Sequence, residues 1–404
     1  MPNLHKGRSP PVFQVSLDQF QSNNLVEVHV TRYSSTPPRT PFYLKIMTRW
    51  RVVGINFDHM HMGDLLRYAF DHPNAEIVGI CDRNTARMQE AIKNFAIQPE
   101  KVFTDVGECI QASRPDLVIL CPATADHATA VEEITRYKVD ILMEKPFAAN
   151  LRDADRIMET VAAAGTRLAI NWPLRWVASH VTTKRLIEQG TIGEVMEVHF
   201  YDGNRGPLYH LADKVEVSDE EVQAKKATSW WYKAESGGGS LLDYLGYGAV
   251  LGTWFMDGRA PLTVTTVVSG QEGLEVDEHS ITVCRYETGL SKLETRWGTF
   301  TDPWTFQPQP KCGFVIVGSA GTISSYDYEE HVGLQTSGNR QITYVPVDEL
   351  EEPFRNPVEY VLHCKETGIP ISGPLDPVLC RTAQRITDTA VESARTKMTI
   401  DLLT

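Results

Sequence analysis

The sequence predicts an α/β protein in which a doubly wound parallel sheet is followed by an α+β half built on a large, mostly antiparallel open sheet. Two observations carry this. Over residues 47–171 short apolar runs alternate with amphipathic segments, the rhythm that right-handed crossovers wind into a parallel sheet. After that the texture changes to alternating strand-like runs, which read as an antiparallel sheet with helices on one face. At 404 residues the chain is long enough for two or three domains.

Composition removes several classes of function. A net charge of −13 has the wrong sign for a nucleic-acid binder. No apolar run approaches the ~18 residues of a membrane span. The seven cysteines include no CxxC pair, so they read as reduced thiols of a cytosolic protein. The start carries neither a twin arginine nor an apolar leader, and a cytoplasmic location is expected. Residues 1–46, rich in Ser, Pro, Asn and Thr, read as a disordered extension.

Strands are expected at 50–56, 75–81, near Val102, at 117–121, 139–143 and 167–171. Between them fall helices marked by Leu65, Leu66 and Ala69, then at 85–95, 106–112 and from His127. Asn150 is placed to cap the next helix, with Asp153 at its third position. In the second half a helix is expected at 179–189, a helix capped by Ser240 runs to Phe255, and strands recur from 195 to about 345. The chain ends in two helices, capped by Asn356 and Asp376 with proline first in each.

Three stretches carry chemistry. The turn after the first strand should hold the small residues of a dinucleotide loop, but the six residues Gly54 to His59 read GINFDH. Gly54 matches the first glycine, Asn56 tolerates the left-handed conformation, and His59 in the third place implies looser packing. Asp82, after the second strand, suits the ribose hydroxyls of NAD, whereas Arg83 beside it would tolerate the 2′-phosphate of NADP. His59 and His61 lack a third metal ligand at recognisable spacing, so no metal is expected.

At the end of the fifth long apolar run stand Glu144, Lys145 and Pro146, where ligands of open α/β sheets bind. A lysine there is a compact, mobile donor suited to proton transfer. In the second half, SGGGSLLDYLGYGAVLGTWF places Asp243 and Tyr247 four apart on one helix face. The same helix carries Gly246, Gly248 and Gly252, which implies close approach of another group.

Together with the altered dinucleotide turn, CPATADHA (121–128), MEKPFA (143–148) and GGGSLLD (237–243) resemble the Gfo/Idh/MocA oxidoreductase family. The likeness runs from Met47 to the carboxyl terminus. It implies a dinucleotide-binding domain over 47–171 and a substrate-binding and oligomerising domain over 172–404, assembled as a homodimer or homotetramer. It also implies a nicotinamide cofactor, NAD or NADP, contacted by Gly54, Asn56, Phe57, His59, Asp82, Arg83, Pro122, Ala123, His127, Glu144 and Pro146.

The matching catalytic positions are Lys145, Asp243 and Tyr247, the last replacing the histidine that many members carry. A phenol becomes a better base when an ammonium stabilises its phenolate, so Lys145 is expected to lower the Tyr247 pKa. Arg175, Trp230 and Trp231 are candidate substrate contacts, and the tryptophans are equally placed to be interface or core residues. The long polar connection before them reads as a lid.

The expected activity is hydride transfer between the cofactor and a carbinol carbon of a sugar, sugar acid or cyclic polyol. Transient use of NAD to cleave a glycoside and non-catalytic sugar or nucleotide sensing are the rival readings.

Overall fold

The computed structural model describes residues 49–404 and, within the first 48, the backbone of three strands. These are β1 (Phe13–Asp18), β2 (Leu25–Arg32) and β3 (Tyr43–Met47), paired antiparallel with one another. Apart from them, the extension expected over 1–46 lies outside the described residues.

The first large sheet contains β4 (Trp50–Phe57), β5 (Ala75–Cys81), β6 (Val102–Phe103), β7 (Leu117–Cys121), β8 (Asp140–Glu144) and β9 (Leu168–Asn171). Its order is β6-β5-β4-β7-β8-β9 and every pairing is parallel. The strands β7 and β8 are buried along their whole length, β7 apolar throughout and β8 apolar between Asp140 and Glu144, as a sheet covered on both faces requires. Helices α1 (His61–Asp71), α2 (Gln89–Asn94), α3 (Val106–Ser113), α4 (His127–Thr135) and α5 (Leu151–Ala164) make the crossovers. Asn150 caps α5 as expected, accepting the Asp153 N–H at 2.9 Å. The order of strands reverses between β4 and β7, and such a switch point opens a crevice at the carboxyl ends of the strands.

The second half begins with α6 (Ala178–Glu188), β10 (Val195–Asn204), α7 (Asp219–Lys226) and α8 (Ser240–Phe255). It continues through β11 (Thr263–Ser269), β12 (His279–Arg285), β13 (Leu290–Trp297), β14 (Gly313–Gly318), β15 (Gly321–Tyr326), β16 (His331–Thr336) and β17 (Thr343–Pro346). It ends with α9 (Pro357–Thr367), α10 (Pro377–Thr396) and β18 (Ile400–Asp401). These strands form one nine-stranded sheet, antiparallel except where β10 lies parallel to β13.

The two halves share their cores. Val358, Val361 and Leu362 of α9 pack in one cluster with Val52 and Ile80 of the parallel sheet and Leu66 of α1. Trp172, at the junction, is buried against α8, where Gly246 admits it: a Cβ built on Gly246 would lie 2.3 Å from the indole Cη2. Gly248 admits Phe200 in the same way, at 2.6 Å, so these glycines seat α8 against the sheet and the domain junction.

One local expectation is corrected. Ser240 does not cap α8; it is the first helical residue, and Gly239, at φ +107°, occupies the cap. The acceptor comes instead from Asp277, whose Oδ2 receives the Leu241 N–H at 2.9 Å and the Ser240 hydroxyl at 2.8 Å. A carboxylate at a helix N-terminus also meets the positive end of the dipole.

Candidate active site

The carboxyl end of β8 delivers Lys145, and the first turns of α8 deliver Asp243 and Tyr247. All three are buried, Lys145 at 4% exposure and the other two at 6%. The Lys145 ammonium donates to Asp243 Oδ1, across 98 residues of sequence. The other oxygen of Asp243 accepts the Trp297 indole N–H at 3.1 Å, so the carboxylate is held from both sides. Lys145 Nζ lies 5.5 Å from the Tyr247 ring centroid and 5.6 Å from that of Trp231.

Lys145, Asp243, Tyr247 and Trp231 line a small chamber, walled also by Asp202, Asn204, His210, Tyr244, Trp304 and Tyr328. Burial, and then the neighbouring Asp327, pushes the Asp202 carboxyl well above its usual range. Asp327 itself is fully buried and paired with His180 Nε2 at 2.7 Å.

The phenol of Tyr247 departs from expectation. Burial first, then the charges of Glu144 and Asp243, push its pKa well above the ordinary value. Lys145 does not reverse this, because its ammonium is engaged by Asp243. Tyr247 therefore keeps its proton over the neutral range, in place of the lowered phenol expected from the sequence.

A wider, open cleft adjoins the chamber at the end of β4, sharing His59, Met60, Pro207, His210 and Trp231 with it. Residues 209–217 fold into a hairpin over the opening, with Leu211 N to Val215 O at 2.7 Å and Val217 N to Tyr209 O at 2.9 Å. The hairpin docks on α1. The Asp213 N–H reaches Asp64 Oδ1 at 2.7 Å, and Gly63 admits Ala212 where a Cβ would lie 2.4 Å from it. The connection read as a lid thus rests on the first sheet's helix.

The turn between β4 and α1 differs from the one expected from the GINFDH stretch. Gly54 is inside β4, and its missing Cβ makes room for Met62 and Leu66 rather than for phosphate. Asn56 does take the left-handed conformation, at φ +61°. Asp82 stands at the end of β5, yet its two oxygens accept the N–H groups of Phe57 and Asn84, both at 2.7 Å. Arg83 is exposed and does not line the cleft, whereas Arg87 does. Sequence reasoning missed Arg87, although Asn84, capping the 3-10 turn Thr85–Met88, is a legible sign that the chain folds back there.

Glu144 is fully buried, with Oε1 2.8 Å from His61 Nδ1 and Oε2 accepting from Asn171 Nδ2 at 2.7 Å. Burial alone would raise its pKa, but His61, Lys145 and Asn171 together hold it below the usual carboxylate value. With both oxygens engaged it anchors the loop rather than a cofactor. His127 is also structural: it is buried and donates from Nδ1 to the Phe147 carbonyl at 3.3 Å. Pro122 and Ala123 end β7 outside the lining of both cavities, while the Lys145–Pro146 peptide is cis and buried beside the chamber.

The fold brings Glu144 to the His59–His61 pair, with ligand-type atoms of all three within 4.8 Å of one another. The sequence spacing did not show this third group. His59 Nδ1 accepts the His61 N–H at 3.1 Å, which places the His59 proton on Nε2, facing Glu144 Oε1 at 3.8 Å. That nitrogen then has no lone pair to offer a cation. Burial keeps His59 neutral, with its pKa well below the ordinary value.

Of the substrate candidates, Trp231 lines both cavities. Trp230 stacks on it at 3.9 Å and donates its indole N–H to the Asp58 carbonyl at 3.2 Å. Arg175 is a correction. Its guanidinium lies 4.9 Å from the Trp176 ring and 4.8 Å from the Trp254 ring, outside the chamber lining, and burial lowers its pKa to about 10. It is a packing cation between indoles.

The cleft lies at the switch point, where dinucleotides bind in such sheets, and the cation Arg87 lies on its wall. It does not offer phosphate the free amides of a glycine-rich turn.

Two family models match the chain: "Oxidoreductase family, NAD-binding Rossmann fold" over residues 48–172, and the "GFO/IDH/MocA C-terminal domain" over residues 180–324. The D-apiose dehydrogenase of Paraburkholderia graminis is 29% identical over 30% of this chain and 32% of its own. The inositol 2-dehydrogenase of Salmonella typhimurium is 27% identical over 39% of this chain and 47% of its own. The chain thus spans between a third and a half of the length of these relatives. The aldose-aldose oxidoreductase of Caulobacter crescentus, solved with glycerol, superposes with a TM-score of 0.70 over 88% of this chain and 100% of its own, at 17% identity. That likeness is one of fold.

Proposed function

Because this chain belongs to the Gfo/Idh/MocA family of oxidoreductases, we propose that it is a nicotinamide-dependent dehydrogenase acting on a carbinol carbon of a sugar, sugar acid or cyclic polyol. The observation that supports it best is the meeting of Lys145, Asp243 and Tyr247, from two distant elements, in the wall of one chamber beside the cleft at the switch point. The apiose and inositol dehydrogenases among the relatives favour the same substrate class.

A nicotinamide dinucleotide, when bound, supplies the hydride acceptor or donor. The chain's residues do the rest. Lys145, held by Asp243, donates to the reacting oxygen and stabilises its developing charge. Tyr247 exchanges the hydroxyl proton, giving it in carbonyl reduction and taking it in alcohol oxidation. Trp231 closes the chamber on the side of the cleft.

The deciding experiment is titration of the protein with NADH and separately NADPH, followed by quenching of tryptophan fluorescence. Saturable micromolar binding is expected, and the preferred form assigns NAD or NADP. A folded protein that binds neither would remove the dehydrogenase reading and leave a sensor.

A second copy is proposed on the open face of the nine-stranded sheet. There Val267, Ile281, Val283 and Leu290 are exposed, while the face turned to α8 and α10 carries buried Thr266, Ser280, Thr282 and Thr295. Exposed apolar residues gathered on one sheet face favour a surface that is covered in use. Light scattering after size exclusion should give a dimer or tetramer mass, and a monomer at micromolar concentration would refute it. Among the described residues no helix is long and apolar enough to cross a membrane.

A further inference from the structure

In a dinucleotide fold the pyrophosphate rests on the turn between the first strand and its helix, where small residues expose backbone N–H groups. Here that turn is closed to phosphate. The Asp58 and His59 amides donate to the Cys121 carbonyl at 3.2 and 3.4 Å. Phe57 donates to Asp82 at 2.7 Å and His61 to the His59 ring at 3.1 Å. Residue 58 is itself a carboxylate, which repels a phosphate brought to that place.

The opposing charge is Arg87. Its guanidinium pairs with Asp58 Oδ1, lies 3.9 Å from Asp82 Oδ2, and belongs to a side chain 44% exposed on the wall of the cleft. We infer that Arg87 is the anchor for the pyrophosphate of the bound dinucleotide, and that Asp58 holds the guanidinium over the turn until phosphate oxygens replace the carboxylate. This rests on the dehydrogenase reading for the presence of a dinucleotide, and deepens it by naming the phosphate contact.

The chemistry suits an exchange. A guanidinium fork matches two phosphate oxygens as well as it matches a carboxylate, and its charge does not depend on pH. The Trp230 indole holds the Asp58 carbonyl at 3.2 Å, so the turn is tethered by its backbone while the Asp58 side chain is the part that must yield. Lys225 of α7, on the wall of the same cleft, adds a second positive charge.

Fluorescence titration with NADH tests this without a substrate. Arg87→Gln should weaken binding about tenfold or more, and Arg87→Lys should recover part of the loss by restoring the charge. Asp58→Asn should tighten binding about threefold or more, since it removes both the competitor and the repulsion. Unchanged affinity in Arg87→Gln, or unchanged or weaker binding in Asp58→Asn, would overturn the assignment. Asp58→Asn leaves the Arg87 side chain itself unaltered, so it decides the matter even if Arg87→Gln folds poorly. A wild-type protein that binds no NADH refutes the dehydrogenase reading instead, and the two failures are told apart by that control.

Discussion

Lys145→Ala is expected to lower turnover by about 10² to 10³, the scale of losing one preorganised donor at the reacting oxygen. NADH affinity should stay nearly unchanged, because Lys145 lines the chamber and not the wider cleft. A second effect follows from burial. Without the ammonium, Asp243 keeps a single partner, the Trp297 indole N–H, and a buried carboxylate is left without its cation. Breaking a buried pair from one side costs about 3–5 kcal/mol. The double variant Lys145→Ala/Asp243→Ala removes that stranded charge and should regain part of the stability in urea unfolding, while turnover stays lost. Turnover within a few-fold of wild type in a folded Lys145→Ala protein would exclude the lysine from the chemistry.

Tyr247→Phe carries the other large effect, about 10² to 10⁴ in turnover, as expected for removal of a positioned acid or base. Its pH signature follows from the raised pKa. A phenol held well above its ordinary value keeps its proton throughout the neutral range. It is ready as the acid of carbonyl reduction, whose rate should be flat from about pH 6 to 9. Alcohol oxidation needs the deprotonated form, so its rate should climb with pH across the same interval. In Tyr247→Phe the climb should disappear. A fall in the wild-type reduction rate above about pH 7 that is absent from Tyr247→Phe would show a phenol titrating low, contrary to its burial.

The parallel sheet was legible because its period is written in the residues. Buried strands such as Leu117–Cys121 are runs of apolar side chains, and the caps Asn150, Asn356 and Asp376 announce their helices. The proposed catalytic trio was legible too, since Asp243 and Tyr247 are four apart on a helix and Lys145 follows a strand. Less legible was the nucleotide turn. Gly54 looked like the loop's glycine, but β4 runs on to Phe57 and turns that glycine into a packing position under α1.

What the sequence by itself determined is therefore whatever depends on neighbours along the chain: strand and helix periods, caps, and the left-handed Asn56. What only the tertiary structure decided depends on who faces whom across it. Asp277 reaches α8 from a loop beyond β11, and Trp297 reaches Asp243 from β13. Asp243 takes the Lys145 charge that would otherwise have lowered the Tyr247 pKa, and Arg87 rather than Arg83 meets the cleft. The attraction between charges and the cost of burying them are set by distances in space, and no spacing along the chain encodes them.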